Sequence, residues 1–173
     1  MTQRLTGSFA AADVHYPASG GGRAAVVVAA DPTYSNVVAE RVAVAESVEP
    51  YRPGQFYLRE LPPLLAVLQS AGQLDLVVVD GYVDLDPDGR MGLGAHVHQE
   101  LGIPVIGAAK TVFRTATHAV PVRRGRSAKP LYVTAAGMAP DCAAGVVAAM
   151  SGKFRIPDAL RRADALARGG ASR

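Results

Sequence analysis

The chain has one cysteine, Cys142, and no tryptophan. A lone thiol excludes an intrachain disulfide and any all-cysteine metal centre, and a buried, inert side chain is expected for it. Aromatic residues make up only 6% of the sequence, and charged residues 19%. With its abundance of alanine, glycine and valine, this is an ordinary globular composition. No apolar run approaches the roughly 18 residues of a membrane span. The opening "MTQRLTGSFAAADVHYP" lacks the longer apolar core of a secretory signal. No membrane partner and a cytoplasmic location are expected. There is no G-x-x-x-x-G-K-[ST] phosphate loop: "GAAKT", residues 107–111, has the lysine and threonine without the glycine pair, which argues against an NTPase. Repeats, low-complexity tracts and obvious linkers are also missing. The 173 residues therefore suit one domain, 1–173, with no obligate protein partner evident.

Acidic residues are scarce in the last third. Residues 1–109 carry six Arg or Lys against twelve Asp or Glu, whereas residues 110–173 carry twelve basic and three acidic residues. An acidic part beside a basic part suits a metal-dependent enzyme acting on a polyanion, since carboxylates hold cations and Arg or Lys neutralise phosphates. Solvated charge on terminal helices is the plainer explanation of the same pattern.

Along the chain, "LTGSFAAADVHY", "AAVVVAAD" and "NVVAERVAVAES" read as three strands of an antiparallel meander. "FYLRELPPLLAVLQSAG" starts extended and becomes a helix, with Pro62 and Pro63 in its first turn and Gly72 as its cap. "LDLVVVDG" is a buried parallel strand, "MGLGAHVHQELG" a helix ending at Gly102, and "IPVIGAAK" another buried strand. "PLYVT" is a later strand, beside a loop or hairpin. "PDCAAGVVAAMSG" and "PDALRRADALARG" are helices that each enter at a Pro-Asp pair. The order predicts an α/β fold with a mixed sheet, an antiparallel three-stranded start, and helices on both faces.

The chemistry centres on "LVVVDGYVDLDPDGRMG", residues 76–92. "DLDPDG" imitates the start of a calcium loop, with Asp84, Asp86 and Asp88 at positions one, three and five. That loop closes with a bidentate glutamate at position twelve, and here position twelve is Ala95. Asp84 and Asp88 are expected to be solvated turn residues. Asp80 differs, because it ends a buried strand, where open α/β sheets place their ligand crevices. Asp13, late in the first strand, and Glu60, near a helix start, could join it. Three clustered carboxylates repel one another unless cations neutralise them, so one or two Mg²⁺ ions are the expected solution. Two such ions stabilise both oxygens of a phosphodiester displacement. A single aspartate at a strand end is more often a cap or an ion-pair partner.

Several short motifs then line up in order. "AAADVHYP" carries Asp13, "PYRPG" spans residues 50–54, "LRELP" carries Glu60, "DG" ends the strand at Asp80, "MGLGAHVHQ" follows, and "IPVIGAAK" ends at Lys110. This ordered set resembles the endonuclease V family, deoxyinosine-directed nucleases of ribonuclease H-like fold. "PLYVT" and its following helix are similar to a late family segment. The resemblance implies a short, divergent member that hydrolyses a phosphodiester near a deaminated base, inosine, in DNA or RNA, as in DNA repair. It implies Asp13, Glu60 and Asp80 as catalytic Mg²⁺ ligands, with Mn²⁺ as a substitute, and Lys110 as the cation that stabilises phosphate charge. Tyr51, with Arg52, Pro53 and Gly54 in the same loop, would wedge beside an unstacked base. Arg123, Arg124, Arg126 and Lys129 would track the nucleic-acid backbone.

Three positions depart from the family pattern, and at one of them Leu61 stands where a glycine is the rule. Asp86 and Met138 stand roughly where histidines are the rule, and Asp86 is a candidate additional metal ligand. A catalytically weak or inactive nucleic-acid-binding relative is therefore an alternative expectation. A third is an unrelated α/β enzyme acting on a small phosphorylated substrate. His96 and His98, two apart on a helix, face different ways and are expected to be structural.

Overall fold

The computed structural model describes residues 7–53 and 55–171. The strands are β1 (Phe9–His15), β2 (Gly22–Ala29), β3 (Val37–Ala45), β4 (Leu76–Val79), β5 (Val105–Ala109), β6 (Val120–Val122) and β7 (Leu131–Ala136). The helices are α1 (Phe56–Ser70), α2 (Leu93–Leu101), α3 (Pro140–Ala149) and α4 (Asp158–Ala167). All the strands join one mixed sheet in the order β3-β2-β1-β4-β5-β7-β6. The meander β1-β2-β3 is antiparallel, β1 pairs parallel with β4, and β4 pairs parallel with β5. β7 closes antiparallel on β5 and carries β6 at the far edge. Among the described residues no helix is long and apolar enough to cross a membrane.

The period-2 alternation of strand side chains divides the interior into two cores. Ala11, Val27, Val78 and Ile106 face α3 and α4, where they meet Ala143, Val147, Ala163 and Leu166. Ala10, Ala12, Val26, Val77 and Val79 face the opposite way, toward Leu64 and Leu68 of α1 and Val97 of α2. Helices thus cover both faces of the sheet, as the sequence predicts.

Two glycines fix the chain just after β4. Gly81 has φ +133°, a turn conformation that L side chains rarely adopt. A Cβ on Gly107 of β5 would lie 2.5 Å from the Gly81 carbonyl oxygen. The strand end carrying Asp80 therefore packs directly on the β5 backbone. Next to it the Val83 N–H donates to Thr134 Oγ1 at 2.8 Å.

The structure departs from the sequence reading in two places. α1 already begins at Phe56, so Pro62 and Pro63 lie in its interior and leave the Leu58 and Arg59 carbonyls without their i+4 donors. The apolar spacing of Leu61, Leu64 and Leu68 continues the core-facing stripe through the prolines. Cys142 is exposed, not buried, because the inner face of α3 is formed by Ala143 and Val147 beside it. Leu5 and Thr6 of the expected first strand, and Gly54 of the expected loop, lie outside the described residues.

Candidate functional site

β1 and β4 run side by side, and their last paired residues are Ala12 and Val79. Asp13 and Asp80 are the next residue on each, so the pairing holds them about one strand spacing (~4.8 Å) apart. They stand at the carboxyl ends of parallel strands, the usual ligand side of such a sheet. Glu60 comes from α1. These three acids line one recess with Ala12, Val14, Leu64, Val79 and Leu93. Its volume is about 10 Å³, room for one water-sized body and no more.

Burial and mutual repulsion dominate the electrostatics. Burial, then the charge of Asp80, pushes Asp13 up to about 7, against a hydrogen bond from the Val14 N–H at 2.8 Å. Glu60 is likewise pushed up to about 7 by burial and by Asp80. Lys110, just past β5, sets its Nζ 2.5 Å from Asp80 Oδ2. Burial alone would lower the lysine. The hydrogen bond and charge of Asp80, with the charges of Asp13 and Asp164, more than offset this and raise it. Lys110 therefore stays cationic at neutral pH.

The donor chemistry fits a hard divalent cation: three carboxylates, a recess of ion size, and an unmet demand for positive charge. Among the described residues no three such donors converge on a single point. The Lys110 ammonium instead supplies the cation on Asp80. A bound ion would be held by Asp13, Asp80 and Glu60 once Lys110 swings off Asp80.

The sequence reading missed Asp164 on α4. Its charge reaches both Asp13 and Lys110, and its Oδ1 accepts from Arg168 Nε at 2.8 Å. A signal was available, because Asp164 is four residues from Leu160 and three from Ala167, both on the buried face of α4. Tyr16 and Arg59 form a further flank, with the Arg59 guanidinium 3.9 Å from the Tyr16 ring centroid. Burial and then the Glu60 charge raise the Tyr16 hydroxyl.

Other expected site residues lie elsewhere. Asp86 does not line the acidic recess: its Oδ1 accepts the N–H groups of Asp88 and Arg90, both at 3.0 Å, and so caps its own loop. Asp88 is exposed, whereas Asp84 is half-buried in a bridge with Met91, and burial raises its carboxyl. Met138 packs against the α3/α4 core. His98 Nδ1 lies 2.6 Å from the Ile103 carbonyl oxygen, and His96 stacks on Tyr57 at 3.9 Å. Tyr51, Arg52 and Pro53 are exposed on their loop, as are Arg123, Arg126 and Lys129 on theirs.

Arg124 is withdrawn from the expected backbone-tracking set, because it is only 6% exposed. Its guanidinium donates to the carbonyls of Val147, Ala148, Met150 and Gly152, closing the C-terminal end of α3. Arg124→Ala is expected to destabilise the fold by about 3 kcal/mol, since several charge-assisted hydrogen bonds vanish and buried carbonyls lose their donor. A urea melt measures this. A midpoint unchanged from wild type would contradict the capping role.

Comparison with known proteins adds the lineage. A family model described as Endonuclease V matches residues 2–139. An Endonuclease V of Streptomyces avermitilis is 35% identical over 185 aligned residues, covering 94% of this chain and 80% of the relative. The crystal structure of the Endonuclease V from Streptomyces avermitilis superimposes with a TM-score of 0.80 at 32% identity, over 95% of this chain and 81% of that one. Ciona intestinalis Endonuclease V, in complex with a 24mer DNA containing an inosine followed by a ribo-adenosine, gives a TM-score of 0.79 at 18% identity, over 94% and 84% of the two chains. That last likeness speaks for the fold alone. The ribonuclease H-like mixed sheet expected from the sequence is the fold found.

Proposed function

Because the chain belongs to the endonuclease V family, we propose that it is a Mg²⁺-dependent endonuclease. It hydrolyses a phosphodiester bond near a deaminated base, inosine, in DNA or RNA, and serves DNA repair. The observation that carries this reading is the recess itself: Asp13 and Asp80 at the ends of two parallel strands, Glu60 of α1 beside them, and Lys110 against Asp80.

A divalent ion bound there would polarise the phosphate and lower the pKa of a water. Each residue of the chain has its own task. Asp13, Glu60 and Asp80, ionised around such an ion, would hold it in the recess and orient the attacking water. Lys110, released from Asp80, offers a fixed positive charge to a phosphate oxygen whose negative charge grows in the transition state. Tyr51, 55% exposed on a proline-bounded loop, can stack beside a base taken out of its helix.

The test is to incubate the protein with inosine-containing DNA and RNA and with matched adenosine strands, in Mg²⁺ and in Mn²⁺. Cleavage of the inosine strands is expected, at a rate far above that of Asp80→Ala. Equal, background-level cleavage by both proteins would sink the proposal.

A second reading is a catalytically weak, nucleic-acid-binding relative. Its motivation is that Asp86 caps its own loop and Met138 packs against the core, so neither residue supplies the imidazole of the family pattern. It predicts salt-sensitive binding that survives Asp13→Ala, without turnover.

A further inference from the structure

Beside the acidic recess lies a larger groove that plays no part in the mechanism above. It measures about 860 Å³, and its lining includes Arg126, Lys153, Phe154, Arg155 and Arg161. Phe154 keeps 48% of its surface exposed, an unusual position for a large apolar ring. Two cations attend it, Arg161 Cζ at 4.5 Å and Lys153 Nζ at 5.4 Å from the ring centroid. The only ion pair on Arg161 among the described residues is a long, exposed one to Asp158 at 3.7 Å, which a polyanion can displace.

The groove is rigid and joined to the site. Arg124 holds the Gly152 carbonyl, and a Cβ on Gly125 would lie 2.5 Å from the Lys153 carbonyl oxygen, so the 124–126 and 152–154 turns pack on each other. Arg155 donates one guanidinium nitrogen to both the Lys110 and the Pro130 carbonyls. Arg155, on the wall of the groove, therefore ties it to the backbone of the lysine that faces Asp80.

An exposed ring among spaced cations is how single-stranded nucleic acid is held: bases stack on the ring and phosphates meet the charges. We propose that this groove is a second nucleic-acid subsite. It takes an unpaired nucleotide of the strand flanking the reacting bond, with its base on Phe154 and its phosphates among Arg126, Lys153 and Arg161. The inference rests on the nuclease reading and specifies how that substrate is gripped away from the reacting bond.

The experiment is fluorescence anisotropy in EDTA, which prevents turnover. The probes are an inosine-containing single strand extended on both sides and two versions truncated on one side or the other. Phe154→Ala is expected to weaken binding of the long strand about tenfold, and Phe154→Tyr to restore it. One of the two truncations should abolish the difference between wild type and Phe154→Ala. The double variant Arg126→Glu/Lys153→Glu should flatten the salt dependence of binding by about one to two in log–log slope. Melting curves certify that each variant is folded. If wild type binds the long strand and Phe154→Ala binds it equally well, the subsite is wrong while the nuclease reading stands. A wild type that neither binds nor cleaves any inosine strand removes the nuclease reading and the subsite with it.

Discussion

Asp80→Asn is expected to slow single-turnover cleavage of an inosine-containing strand by roughly 10³-fold, with binding changed by less than about threefold. The substitution keeps size and shape and removes one charge. That charge does three things in the structure. It anchors the Lys110 ammonium at 2.5 Å, it helps burial push both Asp13 and Glu60 up to about 7, and it lines the recess, where it would serve a bound cation. Without it, burial still holds Asp13 and Glu60 above the ordinary carboxylate range, though less far, and Lys110 loses its partner. The cost in stability is small, because an ion pair with a 42% exposed lysine contributes little and a repulsion disappears at the same time. Loss of rate without loss of fold is therefore the signature. Asp86→Asn is the matched comparison. It preserves the acceptor that caps the Asp88 and Arg90 N–H groups, so cleavage within about twofold of wild type is expected. Asp80→Asn cleaving within tenfold of wild type would remove Asp80 from the reaction, and a collapse of activity in Asp86→Asn would return Asp86 to it.

These two aspartates also mark where the sequence is legible. Asp80 follows "LVVV", a run that a buried parallel strand explains, and strand ends of this kind face ligands. Asp86 sits in a turn, and a turn aspartate faces either its own backbone or a ligand without any change in local sequence. The same ambiguity hides Arg124 among Arg123 and Arg126. Only the alternation carried on from Val122, which is buried, puts Arg124 on the inner side, and three residues of β6 give a weak period. Proline misleads in a different way. Pro62 and Pro63 argue for a later start to α1, yet the packing of Leu61, Leu64 and Leu68 outweighs the two missing backbone bonds. Asp164 and the Phe154 groove depend on α4 and its entry loop folding back to β1 and to the end of β5. Helical spacing sets Asp164 beside the buried face of α4, but that this face returns to β1 and the end of β5 leaves no mark in local spacing.

Without a divalent cation, the protein is expected to lose stability as pH rises from about 4 to about 7. Asp13 and Glu60 ionise near an ordinary carboxylate value in the unfolded chain and at about 7 in the folded one. Between those limits the folded state binds more protons, so ∂ΔG_unfold/∂pH is negative. The contribution of these acids is intact below the lower limit and lost once the upper one is passed. Both shifts share Asp80 as a cause, so they do not add, and a loss on the order of a few kcal/mol is the scale. For a chain of this size that corresponds to a Tm roughly 10 °C lower at pH 8 than at pH 4.5. Mg²⁺ or Mn²⁺ would reverse the loss where it is greatest, because only ionised carboxylates bind the ion. At a hundredfold excess over Kd the gain is about 2.7 kcal/mol. Thermal melts at both pH values, with and without Mn²⁺, decide the matter. The cation should raise Tm at pH 8, leave it nearly unchanged at pH 4.5, and lose most of its effect in Asp13→Asn. An equal gain at the two pH values would mean that the ion binds elsewhere, and no gain at pH 8 would mean that the recess is not a metal site.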